Sequence, residues 1–184
     1  MPPIFLIGYM GSGKTTLGRA VSIATGLPFI DLDQWIEEHQ GCPVSTIWQR
    51  HGEQTCRRRE REALELLSKR CDVIVACGGG TPCFFDNMDL MQSRGITVWL
   101  DASRPRLLSR LREAQQQRPL IAAISSDNEL DAYIASGLEH RHPHYSRAAV
   151  RFPADNLDSS DELARSVREF IALLGLHTKQ SSQP

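Results

Sequence analysis

Four apolar residues, Ile4-Phe5-Leu6-Ile7, run directly into Gly8-Tyr9-Met10-Gly11-Ser12-Gly13-Lys14-Thr15, and helical periodicity then sets in from Lys14 to Ala24. A short unbroken apolar run reads as a strand buried on both faces. The eight residues after it fit G-x-x-x-x-G-K-[ST], in the strand-before and helix-after context that this phosphate-binding pattern requires. Glycines let successive backbone N–H groups curl around phosphate oxygens, and the helix N-terminus adds its dipole. Lys14 can then reach the β- and γ-phosphates of a nucleotide, and the Thr15 hydroxyl can hold Mg²⁺ directly. Gly11, Ser12, Gly13, Lys14, Thr15 and Thr16 are the expected nucleotide contacts. The competing reading, a glycine-rich turn beside a surface lysine, has no use for the flanking strand and helix. The motif implies nucleotide binding without separating kinases from GTPases, ATPases or regulatory modules.

The same alternation repeats down the chain. Phe29 to Asp33 reads as a second strand ending in acids, and Gln34 to His39 as an amphipathic piece. Val44 to His51 and Glu53 to Lys69 read as a short and a longer helix, and Val73 to Ala76 as a buried strand cut off by Gly78-Gly79-Gly80. Asn87 to Arg94 is helical, Ile96 to Leu100 a strand, and Arg104 to Ala114 a helix with Leu107, Leu108 and Leu111 on one side. After a polar stretch, helix returns from Glu129 to His142, with Pro143 interrupting it. Ala149 to Phe152 reads as a last strand, and Asp161 to Leu174 as a last helix capped by Ser160. This pattern predicts one doubly wound α/β domain over residues 1–175, with a central parallel sheet between two helical layers. Residues 114–128 read as a lid, and 176–184 as a flexible tail.

Charge and cysteine usage narrow the partners. Lys plus Arg total 21 against 22 for Asp plus Glu over 184 residues, so no global field steers the chain toward nucleic acid or a membrane surface. Five cysteines without a C-x-x-C pair, and no charged-then-apolar leader, suit a reducing cytoplasm. No apolar run approaches the roughly 20 residues that span a bilayer. Small-molecule partners and a monomeric state are the expectation.

Acids at the carboxyl end of a strand beside the phosphate loop are where ligand chemistry falls in open α/β sheets. Asp31 and Asp33, two apart on a strand, would point to one side, one orienting water on Mg²⁺ and the other meeting a substrate hydroxyl. Each is alternatively a solvated loop carboxylate or a helix cap. Asp101, ending Val98-Trp99-Leu100, competes with Asp31 for the metal, and sequence pattern leaves that choice open. Gly78, Gly79 and Gly80 allow backbone to approach a ligand closely, or form a plain turn. Arg57-Arg58-Arg59 with Glu60 reads first as a solvated helix face. Arg118, in the polar stretch, could close over ATP, or be a surface cation. His140, His142 and His144 lack the neighbours that would complete a metal site.

Together these motifs resemble the shikimate kinase family over nearly the whole chain. The residues carrying the likeness are Gly8 to Gly18, Phe29 to Asp33, Gly52-Glu53-Gln54 with Arg57 and Glu60, Gly78-Gly79-Gly80, Arg118-Pro119-Leu120, and Arg141 with Pro143 and Tyr145. The resemblance implies a P-loop kinase of the nucleoside-monophosphate-kinase type that phosphorylates the 3-hydroxyl of shikimate. Asp33 would contact shikimate hydroxyls and accept the proton, Arg57 and Arg141 would hold the carboxylate, and Gly79 would add a backbone contact. Asp31 rather than Asp101 would act through the Mg²⁺ shell, Arg118 would be the lid arginine, and Arg110 would lie against the adenine. Two positions depart from the family pattern: Cys56 stands where an aromatic is usual, and Cys77 where a hydroxyl residue is common.

Overall fold

The computed structural model describes residues 1–117 and 120–179. Five parallel strands form one sheet in the order β2-β3-β1-β4-β5, with β1 at Ile4–Ile7, β2 at Phe29–Asp31, β3 at Ile74–Ala76, β4 at Ile96–Asp101 and β5 at Val150–Pro153. Helices cover both faces, giving three layers. All four residues of β1 have no exposed surface, and burying side chains of this size contributes about 1.5–3 kcal/mol each. The central strand therefore anchors the loop that follows it.

After β1 the chain goes out to the edge at β2, returns through β3, and then crosses to β4 on the other side of β1. Ligand crevices open at such a reversal, beyond the carboxyl ends of the strands. Register makes this concrete, since Ala76 pairs with Asp31 on one side and with Leu6 on the other. The acid of β2, the glycine triplet after β3 and the loop after β1 thus emerge side by side.

Helix α1 (Lys14–Thr25) stops at Gly26, whose N–H donates to Ser22 in a left-handed cap. Helix α2 (Leu32–Gln40) begins earlier than its sequence suggests. Asp31 is its N-cap, accepting from the Asp33 N–H, so Asp33 lies in the first helical turn and not on the strand. The two aspartates consequently do not share a strand face. Helix α3 (Val44–Leu67) joins the two expected helices through a break at Gly52, which has φ 77° and ψ 171°.

Helix α4 (Asn87–Arg94) and helix α5 (Arg104–Glu113) fall where their periodicity puts them. Helix α6 (Asp127–Tyr145) runs through Pro143 rather than ending before it. The proline removes one donor only two residues before the terminus, and the carbonyl of the preceding His142 is taken up by the Ser146 N–H at 2.9 Å. Helix α7 (Ser160–Leu173) is capped by Ser159, not Ser160, because only Ser159 stands three residues before Glu162 and closes a reciprocal capping box with it. Beyond α7, the Lys179 N–H donates to the Ala24 carbonyl at the end of α1. None of the described helices is long and apolar enough to cross a membrane.

Candidate active site

The loop between β1 and α1 wraps a cavity of about 470 Å³. Gly13 caps α1 at φ 91°, a conformation that demands glycine, and a Cβ there would also press on the Leu157 side chain, 2.4 Å from Cδ1. Lys14 Nζ lies against the loop, donating to the carbonyls of Gly8 at 2.8 Å and Tyr9 at 2.9 Å. Gly11, Thr15 and Thr16 line the cavity with it. Ser12 is buried with its hydroxyl 3.4 Å from Lys14 Nζ, so it shapes the loop from behind.

Across the cavity, Thr15 Oγ1 donates to Asp31 Oδ2 at 2.9 Å. Asp101 faces elsewhere, held by Arg151 through Nε at 2.8 Å and Nη2 at 2.5 Å. Of the two acids competing for the metal, only Asp31 reaches the phosphate loop. A hydroxyl and a carboxylate at one point are hard oxygen donors of the kind Mg²⁺ takes alongside phosphates and water. Arg110 lines the same cavity, fixed by Asp158 at 2.7 Å and by the carbonyls of Ala154 and Asp155, both at 2.9 Å.

A second cavity, of about 580 Å³, opens between α3, the glycine triplet and α6. Arg57 and Arg141, 84 positions apart, both line it. The Arg57 guanidinium is held by Glu60 at 3.0 Å and Glu53 at 3.1 Å, and lies 4.1 Å above the Phe84 ring. It therefore keeps the helix pairs expected of a solvated face while its head turns inward. Arg141 stacks over the Tyr9 ring at 4.7 Å, and among the described residues its buried Nη1 has no hydrogen-bond partner. A buried donor without an acceptor is costly unless a ligand completes it.

The glycine triplet fits between these cations. A Cβ on Gly79 would lie 3.7 Å from Arg141 Nη1, and one on Gly80 would lie 2.9 Å from Arg57 Nη1. Gly78 faces three oxygens, with its Cβ position 3.0 Å from Thr81 Oγ1 and 3.4 Å from both Asp33 Oδ1 and Glu60 Oε1.

The two cavities share a wall made of Met10, Asp33, Gly78 and Gly79. Among the described residues, Asp33 is the one carboxylate common to both. Burial and then the nearby Asp31 charge raise its pKa, against the opposing pull of Lys14. Burial also raises Glu60, with Arg57 opposing. The arrangement can hold an anionic phosphate chain on one side, a second anion on the other, and a proton-accepting group at their junction.

Arg118 lies outside the described residues; the neighbouring Leu120 lines the second cavity. Cys77 is buried with Sγ 3.7 Å from Met91 Sδ and its thiol pushed up by burial, so it packs as a small hydrophobe. Cys56 lines the second cavity. Among the described residues no group of three His, Cys, Asp or Glu could hold a metal; His142 sits edge-on to Trp99 instead. Trp48, Leu157 and Asp158 also line the cavities without any motif to announce them. Tyr9 occupies a variable position of the phosphate-loop pattern, so no motif signals its contacts.

The chain is similar to known proteins over nearly its whole length. A family model described as "Shikimate kinase" matches residues 10–172. A shikimate kinase from Phocaeicola vulgatus is 48% identical over 167 residues, covering 91% of this chain and 95% of the relative. The crystal structure of shikimate kinase from Bacteroides thetaiotaomicron superposes with a TM-score of 0.91 at 42% identity, over 95% of this chain and 99% of that one. That of the Acinetobacter baumannii shikimate kinase in complex with shikimate gives 0.80 at 28% identity, over 95% and 94%. With its phosphate loop, paired cations and shared acid in place, the chain belongs to the shikimate kinase family.

Proposed function

We infer that this chain transfers the γ-phosphoryl group of ATP to the 3-hydroxyl of shikimate, giving shikimate 3-phosphate and ADP, a step toward chorismate and the aromatic amino acids. The observation carrying this reading is the pair of abutting cavities, with Asp33 at their junction and two arginines from distant segments in the second. Shikimate has one carboxylate and several hydroxyls, which suits such a pocket.

In this reading the phosphate loop from Gly11 to Thr16 holds ATP, and Lys14 leaves its loop carbonyls to neutralise the β- and γ-phosphates. Arg110 borders the base, its guanidinium already fixed by Asp158 and two carbonyls. Arg57 and Arg141 take the shikimate carboxylate, the orphaned Nη1 of Arg141 gaining its acceptor there. Gly78, Gly79 and Gly80 let the sugar-like ring approach the backbone. Asp33 orients the 3-hydroxyl and accepts its proton as the new O–P bond forms and the bond to the ADP oxygen breaks. A raised pKa suits that role, since a base is most effective when its pKa lies nearer the working pH.

Thr15 would hold Mg²⁺ directly and Asp31 through water, and the ion when bound neutralises phosphate charge. Arg118 would approach the nucleotide from the 114–128 lid, while Leu120 closes over the acceptor. Positioning and fixed charge supply most of the rate. In the same reading the protein works as a monomer in the cytoplasm on small molecules, without nucleic-acid or membrane partners. Its five cysteines, all free, suit that compartment.

An ADP-release assay with ATP and Mg²⁺ tests it against shikimate, gluconate and nucleoside monophosphates. Stimulation by shikimate alone is the expected result. Stimulation by either other class and not by shikimate would replace the reading.

A further inference from the structure

One stripe of α6 touches both ligand loops. Tyr133, Gly137, Arg141 and Tyr145 recur every fourth residue and so share a helix face. The first three meet Tyr9: its hydroxyl donates to the Tyr133 carbonyl at 3.5 Å, its ring lies under the Arg141 guanidinium, and a Cβ on Gly137 would stand 2.4 Å from its oxygen. The fourth, Tyr145, donates its hydroxyl to the Gly79 carbonyl at 2.5 Å. Tyr9 belongs to the phosphate loop, and its own carbonyl accepts from Lys14 at 2.9 Å.

We propose that Tyr9 is a positioning residue for the acceptor: its ring, slotted over Gly137, is the platform that sets the Arg141 guanidinium, so the phosphate loop itself orients the group that takes the shikimate carboxylate. The inference rests on the function proposed above and goes beyond it, because Tyr9 touches neither substrate in that reading. The buried Arg141 Nη1 has no hydrogen-bond partner among the described residues, and the guanidinium, which also interacts with the Tyr9 and Tyr145 hydroxyls, takes its plane from stacking on the Tyr9 ring. Burial raises the Tyr9 hydroxyl pKa to about 12, against the opposing Arg141 charge, so the ring remains neutral at physiological pH. The hydroxyl also interacts with Arg141, but the attraction of an aromatic face for a cation belongs to the ring and is kept when the hydroxyl is removed.

Calorimetric titration of shikimate into the full-length protein, with a non-hydrolysable ATP analogue titrated separately, tests this. Tyr9→Leu should weaken shikimate binding about tenfold, the scale of a desolvated cation–ring contact. Tyr9→Phe, which keeps the ring, should stay within about twofold of the wild type. Gly137→Ala, which displaces the ring from the helix side, should reproduce the Leu phenotype and leave analogue affinity unchanged, and it stands in for Tyr9→Leu should that variant not fold. Wild-type shikimate affinity in Gly137→Ala, or equal losses for Tyr9→Phe and Tyr9→Leu, would overturn the inference. A wild-type protein that takes up no shikimate would instead remove the functional reading beneath it.

Discussion

Arg57 leaves no room for a side chain on Gly80: a Cβ there would lie 2.9 Å from Nη1 and 3.0 Å from Nη2. The guanidinium cannot simply retreat, because Glu53, Glu60 and the Phe84 ring hold it on its other sides. Gly80 has φ −94° and ψ −18°, ordinary for alanine, so Gly80→Ala isolates the clash from backbone strain. The variant should raise the KM for shikimate about tenfold by pushing Arg57 out of the cavity, with the KM for ATP unchanged. Steady-state kinetics with each substrate varied in turn checks this.

Asp33→Asn should separate activity from stability. Removing the proton acceptor should lower kcat by about 10²- to 10⁴-fold. The folded-state pKa of Asp33 is raised by burial and by Asp31, so the folded state binds the proton more tightly than the unfolded chain. The stabilising contribution is present below the ordinary carboxylate value of about 3.9 and is lost as pH rises toward the folded value. Above the ordinary carboxylate range Asp33 therefore weakens the ligand-free protein relative to an uncharged isostere. Asp33→Asn should raise its Tm, as read by calorimetry at pH 7. The acid limb of the wild-type kcat/KM profile should likewise lie above the usual carboxylate range.

Asp31→Asn and Asp101→Asn should part company. Asp31 accepts from Thr15 beside the phosphate loop, so its loss should reduce kcat by about 10- to 100-fold, the usual scale for residues that order a metal's outer shell. Asp101 pairs with a largely exposed Arg151, and exposed pairs contribute about 0–1 kcal/mol. Asp101→Asn should keep activity within about twofold. Assays over a range of Mg²⁺ concentrations decide between them, with Asp31→Asn alone demanding more metal.

Local signals carried much of this architecture. The apolar run at Ile4–Ile7, the glycine loop and the α1 periodicity place the phosphate site unaided, because each depends on neighbours in sequence. Gly52 likewise marks the break inside α3 by its own backbone. The sequence pattern places Asp33 on a strand, whereas it lies in α2 because Asp31 caps that helix, and side-chain capping competes with strand extension in a segment this short. The inward turn of Arg57 was illegible, since its i−4 and i+3 partners are those of a solvated helix face; only the packing of Phe84 and Gly80 around it distinguishes the two. Tyr9 and Leu157 owe their places to contacts across more than a hundred residues of chain, which no local pattern encodes.

The central claim is that one carboxylate is shared by Arg57 and Arg141, and a double-mutant cycle on shikimate affinity measures it directly. Charge-assisted hydrogen bonds contribute about 1.5–3 kcal/mol, so Arg57→Ala and Arg141→Ala should each weaken binding by about 10- to 100-fold. With a common anion, the double variant should lose less than the sum, by a coupling of at least about 1 kcal/mol. Independent, additive losses, or wild-type affinity in either single variant, would contradict the account.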